Sequence, residues 1–269
     1  MTDPALRVRD LQLRFGGQQV LDHVSFELPH RSTVGLIGPN GAGKTSVLNS
    51  ITGFYPVDGG TIEVEGLAVH GAGTARIAAS GVARTFQHAE TISAMGARDL
   101  VLLGLHRSMP AGVLRYALRR ATRRAEHDAN ERVEQIAAEL GITDEVRANT
   151  VVGSLPYGTR KLVDLGRALV SRPALLLLDE PGAGLAPSEK SDITEVLRRQ
   201  MEDRRPEERP LAVVVIDHDI AFVTALCDRL LVLDAGRLLA DGPHREVLSD
   251  PAVIEAYVGV PTPPRTETT

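Results

Sequence analysis

Tryptophan is absent, cysteine occurs once, and aromatic residues make up 3% of the 269 positions. A core must therefore be built from aliphatic side chains, which the 43% hydrophobic content supplies. The single cysteine, Cys227, excludes an internal disulfide and has no partner thiol for a structural metal site. A reducing compartment suits such a chain. Long apolar runs are missing as well. The longest, Ala174–Leu178 and Leu211–Ile216, are strand-sized, far short of the ~18 residues of a membrane-spanning helix. Any membrane role has to come through a partner. Met1–Asp10 carries charges and no apolar centre, so it does not read as a signal peptide. There is no basic excess: 30 Lys and Arg face 35 Asp and Glu, a net charge of −5, which argues against a nucleic-acid partner. Lysine itself is scarce, with Lys44, Lys161 and Lys190 the whole complement.

What is present reads as α/β. The length fits one large domain, or one domain with a subdomain. Leu6–Leu13 and Leu21–Leu28 alternate polar and apolar residues, predicting antiparallel strands around a turn at Phe15-Gly16-Gly17. Thr33–Ile37 is an apolar strand running into Gly38, with a helix expected from Lys44 to about Gly53. Thr61–Glu65 predicts another strand after the Asp58-Gly59-Gly60 turn. From Ala97 to Leu140 the period becomes helical and charge is dense. Five arginines fall within Arg115–Arg124, a pattern that fits a solvated helix face or a contact to anionic lipid or a partner. Then the rhythm returns: helices at Lys161–Ser171, Ser188–Arg204 and Asp219–Cys227 alternate with apolar strands at Ala174–Leu178 and Leu211–Ile216. Leu230–Asp234 and Arg237–Ala240 flank Ala235-Gly236 as a hairpin. Continuous apolar strands between helices indicate a parallel sheet covered on both faces. The Pro- and Thr-rich tail, 261–269, is expected to be disordered.

Gly38-Pro39-Asn40-Gly41-Ala42-Gly43-Lys44-Thr45 matches G-x-x-x-x-G-K-[ST], the P-loop pattern, and Ser46 follows it. Its glycines let backbone N–H groups turn inward on a triphosphate, and the following helix aims its positive end at the phosphates. Lys44 is placed to reach the β and γ phosphates and Thr45 to give a hydroxyl to Mg²⁺. A second motif, Leu175–Asp179 followed by Glu180, is a buried strand ending in two carboxylates at the edge where open α/β sheets bind ligands. Asp179 can hold Mg²⁺ through water, and Glu180 can polarise an attacking water. A third strand, Val213–Ile216, runs into Asp217 and His218. After a carboxylate strand in a P-loop chain, His218 reads as a γ-phosphate contact. Gln87, just after Val82–Phe86, can reach Mg²⁺ and the water.

Together these residues resemble an ABC ATPase. Five elements stand in family order: the P-loop, a Q-loop at Gln87, a signature segment Ser154-Leu155-Pro156-Tyr157-Gly158-Thr159, the Walker B strand through Asp179-Glu180, and an H-loop at His218. Phe15 stands where the family's A-loop aromatic stacks on adenine. The resemblance implies a RecA-like α/β core with an N-terminal antiparallel β subdomain and a helical subdomain inserted at about 88–158, the whole domain spanning 1–260. It implies ATP and Mg²⁺ as cofactors, with Glu180, His218, Gln87 and Lys44 catalytic and Thr45, Gln87 and Asp179 around the metal. It also implies a second ATPase subunit, whose signature segment (Leu155, Pro156, Tyr157, Gly158 and Thr159 in this chain) closes over the ATP of the first. Transmembrane permease subunits would dock near Gln87 on the cytoplasmic face, with an extracytoplasmic solute-binding protein beyond them.

Within that family the chain is similar to the ATPases of branched-chain amino-acid-type importers. The similar stretches are Val82-Ala83-Arg84-Thr85-Phe86-Gln87, Tyr157-Gly158, Asp179-Glu180-Pro181 running to Ala183-Gly184-Leu185, and Val253–Gly259. Relatives of that group also serve urea or short amides and lipopolysaccharide export. Two positions depart from the family pattern. Pro156 replaces the signature serine and offers neither hydroxyl nor N–H, and Ala186 stands where the D-loop aspartate is usual. A translation or DNA-repair ABC factor would carry two nucleotide domains, a coiled-coil insert or a zinc motif, and none is present. A P-loop kinase or GTPase has no use for Gln87, Tyr157-Gly158 and His218 together. Against a regulatory module that binds ATP without turnover stands Glu180, while Pro156 and Ala186 leave it some room.

Overall fold

The computed structural model describes residues 3–85, 93–105, 119–202 and 209–258. Gln87, the side chains of the arginine-rich stretch and the tail lie outside them.

The N-terminal strands are β1 (Leu6–Phe15) and β2 (Gln18–Leu28), joined through Gly16 and Gly17. Leu6 and Val8 are buried, then Leu11 and Leu13. That odd step from 8 to 11 is absorbed by a bulge, where Asp10 and His23 take positive φ and the register shifts. With β4 (Gly59–Val64) and β5 (Leu67–Ala68) these strands form an antiparallel sheet in the order β2-β1-β4-β5.

The larger sheet holds β3 (Thr33–Ile37), β6 (Val82–Arg84), β7 (Leu175–Asp179), β8 (Ala212–Ile216), β9 (Arg229–Asp234) and β10 (Arg237–Pro243), in the order β10-β9-β3-β8-β7-β6. Neighbours are parallel except the edge strand β10. The continuous apolar runs have a direct cause here. In β7 and β8, Leu175, Leu177, Ala212, Val214 and Ile216 point into the core shared with the antiparallel sheet, while Leu176, Leu178, Val213 and Val215 point into the opposite core. With both faces covered, neither phase of the strand can be polar.

Two groups of helices pack against these sheets. Helix α1 (Lys44–Ile51) follows β3, and its Val47, Leu48 and Ile51 fill the first core. The short α2 (Thr74–Ala79) precedes β6 and adds Ile77 to that core. The second core takes α3 (Ala97–Leu103), α4 (Arg119–Glu139), α5 (Thr143–Arg147) and α6 (Tyr157–Leu169) through residues such as Leu100, Val133, Ala137, Val146 and Val163. Helices α7 (Pro187–Glu202), α8 (Ile220–Leu226), α9 (His244–Val247) and α10 (Pro251–Val258) complete the layer. No helix among the described residues is long and apolar enough to cross a membrane.

Two boundaries bear on the site and differ from the sequence expectation. Helix α1 stops at Ile51, because Gly53 takes a positive φ of 74°. Helix α6 starts at Tyr157, four residues earlier than the apolar period suggested, with Pro156 as its N-cap at φ −53°, ψ 150°.

Candidate functional site

Three adjacent parallel strands, β3, β8 and β7, deliver their C-terminal ends to one edge of the sheet. Gly38–Thr45 leaves β3, Asp217 and His218 leave β8, and Asp179 and Glu180 close β7. The loop from β3 has to lie against its neighbours. A Cβ at Gly38 would sit 2.0 Å from the Leu233 carbonyl oxygen, and Gly43 holds φ at 103° beneath the Val20 carbonyl. The β9–β10 turn supports the loop from below, with the Gly236 N–H donating to Ala42 O (3.0 Å). From α10, Tyr257 lies beside the Gly38 backbone, and partial desolvation pushes its phenol up from the ordinary tyrosine value.

Helix α1 begins at Lys44 with no side chain capping its N-terminus, so its first N–H groups and its dipole are available to an anion. Lys44 is buried, its Nζ donating to Gly38 O (2.8 Å) and Pro39 O (2.9 Å). Burial holds its ammonium below the ordinary lysine value, opposed by the charges of Glu180 and then Asp179. Pro39 and Ser46 are half-buried, Ala42 is buried, and Asn40, Gly41 and Thr45 are exposed. This arrangement fits a triphosphate.

Asp179 is 3% exposed. Its Oδ2 accepts from Arg84 Nη2 at 2.7 Å, while Oδ1 is buried with no hydrogen-bond partner among the described residues. An orphaned buried carboxylate oxygen beside a phosphate loop fits a ligand to a hard cation. Among the described residues no cluster of three His, Cys, Asp or Glu could hold a metal alone. That matches Mg²⁺, which is usually bound by one or two side chains and the substrate's phosphates.

Glu180 takes φ 50°, with its N–H donating to Ile216 O (2.7 Å). Its Oε1 lies 3.3 Å from His218 Nε2, so the carboxylate after β7 and the histidine after β8 are in contact. Asp217 ties the two loops together: Oδ2 accepts from Gly182 N (2.8 Å) and Oδ1 from Asp219 N (3.0 Å). Phe15 stands 46% exposed at the end of β1, held edge-on by Tyr55 with ring centroids 4.9 Å apart.

Lys161 of α6, two positions beyond the signature segment, contacts the turn after β7. Its Nζ donates to Glu180 O (2.5 Å) and Pro181 O (3.2 Å) and lies 5.3 Å from the Tyr157 ring centroid. Burial lowers its pKa, opposed by Asp217 and Glu180. Leu155 is buried and Pro156 exposed. The α6 start corrects the sequence picture of the donors. Arg160 N makes the first helical bond, to Pro156 O, so Tyr157, Gly158 and Thr159 form the first turn with N–H groups that need no helical acceptor.

Sequence reasoning missed Arg84, Tyr55, Lys161 and Asp217. One signal was visible. All three lysines of this lysine-poor chain line the site, with Lys190 bonded to Asp219 Oδ2 at 2.6 Å.

The comparisons agree with this geometry. Residues 21–183 match the ABC transporter family. The chain is 36% identical over 260 residues to the high-affinity branched-chain amino acid transport ATP-binding protein LivG of Salmonella typhimurium, covering 96% of this chain and 99% of that one. It is 35% identical over 260 residues to BraF of Pseudomonas aeruginosa, with the same coverage. Among solved structures, it resembles a nucleotide-free ATP-binding cassette from an ABC transporter (TM-score 0.81, 28% identity, 95% of this chain and 99% of that chain). It also resembles an ATP-binding cassette in its ADP conformation (TM-score 0.79, 28% identity, 96% and 100%). A P-loop, a carboxylate-ended strand and a histidine-ended strand side by side, within a match of this extent, place the chain in the ABC transporter family as one of its ATP-binding, ATP-hydrolysing subunits.

Proposed function

We propose that the chain powers an importer of branched-chain amino acids, hydrolysing MgATP as one half of a nucleotide-sandwich dimer on the cytoplasmic face of the membrane. The cargo class rests on the end-to-end similarity to LivG and BraF. The mechanism rests on one observation above all: Lys44, Asp179, Glu180 and His218 converge from three neighbouring strand ends.

The uncapped N-terminus of α1 and the loop N–H groups bind the phosphates, and Lys44 exchanges Gly38 O and Pro39 O for the β/γ oxygens. Phe15 stacks on adenine. Thr45 and Asp179, with Gln87 from beyond the described residues, would hold Mg²⁺, which neutralises charge developing on the β and γ oxygens. Glu180 orients the attacking water and takes its proton as general base. His218, 3.3 Å from that carboxylate, is placed to contact the γ-phosphate and to hold Glu180 in register. The first-turn N–H groups of Tyr157, Gly158 and Thr159 supply the cross-dimer contact that a signature serine makes elsewhere, so Pro156 does not disable it. ATP favours the closed pair and its hydrolysis the open one, and the permease is driven by that difference in affinity.

The test is reconstitution of the chain with its permease subunits, second ATPase subunit and solute-binding protein in liposomes. ATP hydrolysis should rise when leucine, isoleucine or valine is added on the binding-protein side. Stimulation by urea or a short amide alone would overturn the cargo class, and failure of every solute to stimulate would overturn import.

A further inference from the structure

Arg84 has no part in the chemistry above, yet it is the residue most closely bound to Asp179. It closes β6, paired in register with Leu177, three positions before Gln87. Its Nη2 donates to Asp179 Oδ2 at 2.7 Å, and its Nη1 donates to Asn49 Oδ1 at 2.6 Å and Thr52 Oγ1 at 3.4 Å. Its carbonyl oxygen accepts from Arg167 Nη2 of α6 at 2.7 Å. The Arg84 side chain is 17% exposed and that of Asp179 1%.

Arginine normally meets a carboxylate as a two-pronged fork. Here Asn49 and Thr52 engage Nη1, so one prong reaches Asp179 and Oδ1 is left without a partner among the described residues. The same guanidinium thereby spans two elements: the last turn of the helix that starts at Lys44 and Thr45, and the end of the strand that carries Asp179. A buried ion pair is a poor source of stability, because desolvation offsets its attraction. Fixing one oxygen of a carboxylate while leaving the other free is a use that an apolar pair could not fulfil.

We propose that Arg84 is a positioning residue for the nucleotide's metal: it sets the Asp179 carboxylate at a fixed distance from Thr45 and reserves Oδ1 for Mg²⁺ or a Mg²⁺-bound water. This rests on the reading of Asp179 as a metal ligand given above.

The measurement is ADP binding by calorimetry, in Mg²⁺ and in EDTA, for the full chain and its variants. The ratio of the two dissociation constants is the coupling between nucleotide and metal, and it is reciprocal. Arg84→Met should lower that ratio at least five-fold while leaving the EDTA value within two-fold of wild type. Arg84→Lys, which keeps one charged donor, should recover part of it and guards against a Met variant that fails to fold. Asp179→Asn should lose the ratio too, and the double variant should lose no more than Asp179→Asn alone. If Asp179→Asn loses the ratio and both Arg84 variants keep it, Arg84 does not position the ligand. If both ADP constants weaken equally alongside a lower melting temperature, Arg84 is a structural brace only. If Asp179→Asn itself keeps the ratio, the metal reading of Asp179 fails and takes this proposal with it.

Discussion

At the scale of single residues, charge and burial decide what each group can do. Lys44 is a buried cation whose acceptors among the described residues are two carbonyl oxygens of its own loop, which is a poor resting place for an ammonium and a good one from which to reach phosphate. Charge-assisted hydrogen bonds contribute about 1.5–3 kcal/mol, so Lys44→Ala should weaken MgATP binding at least ten-fold by calorimetry and abolish turnover. Unchanged affinity and rate would remove Lys44 from the site. Cys227 is the opposite case, fully buried between α8 and β9. Burial pushes its thiol from an ordinary 9.0 up to about 12. Below pH 9 both the folded and unfolded chains keep the proton, and the group contributes nothing to pH dependence. Between 9 and about 12 the unfolded chain releases it and the folded chain does not, so this group makes stability fall as pH rises through that window. Cys227→Ala should flatten the loss of melting temperature above pH 9. An Ellman titration of the native protein at pH 8 should find no reactive thiol until denaturant is added, and rapid native labelling would contradict the burial.

At the scale of elements, the ends of helices carry the site. Helix α1 presents an uncapped N-terminus at the P-loop, and α6 presents another at Tyr157–Thr159. In α8 the cap is filled, with Asp219 Oδ1 accepting from Phe222 N at 3.1 Å, so that helix offers no such anion site. Pro156 fits its N-cap position because its missing N–H is not needed there and its fixed φ suits the entry. Serine is nonetheless the better cap by about 1 kcal/mol and adds a hydroxyl donor. Pro156→Ser should therefore leave ATPase activity unchanged or raise it, with a slightly higher melting temperature. A large drop in rate with circular dichroism unchanged would show that the rigid proline entry is itself required.

The elements also show how far sequence reading carries. The P-loop, the strand ending in Asp179 and Glu180, and the strand ending before His218 were legible, because each couples a distinctive residue to an apolar run with a definite end. The start of α6 was not. Tyr157, Gly158 and Thr159 show no amphipathic period of their own, and the turn is fixed by tertiary contacts: Lys161 on Glu180 O, the Tyr157 ring against Gly184, and Glu189 packed at Gly158. Arg84, Asp217 and Tyr55 were illegible for a related reason. Each acts through a partner distant in sequence, Asp179, Gly182 and Phe15 respectively, and nothing local to the residue signals the partner.

At the scale of the whole molecule, the two cores divide the work. One joins the antiparallel sheet, α1 and one face of the large sheet into the nucleotide-holding half. The other joins α3 to α6 to the opposite face, and carries the signature segment at its surface. Lys161 and Arg167 link α6 to the Glu180 turn and to β6, so the helical group is hydrogen-bonded directly to the backbone of the proposed general base. The P-loop belongs to the first core and the signature segment to the second, a layout that suits the proposed sandwich in which a second subunit completes each ATP site. Glu180→Gln separates binding from hydrolysis, since the amide keeps the shape but cannot take a proton from water. In the proposed mechanism closure requires ATP and not its hydrolysis, so the variant should accumulate in the closed state. Light scattering after size-exclusion, on Glu180→Gln co-expressed with its ATPase and membrane subunits and on the chain alone, measures this with MgATP and with MgADP. The account predicts very slow hydrolysis together with a closed ATPase pair, seen as a doubled mass or as a cross-link between the P-loop and the opposing signature, in MgATP alone. Near-normal hydrolysis, or no closure in MgATP with any partner, would contradict it.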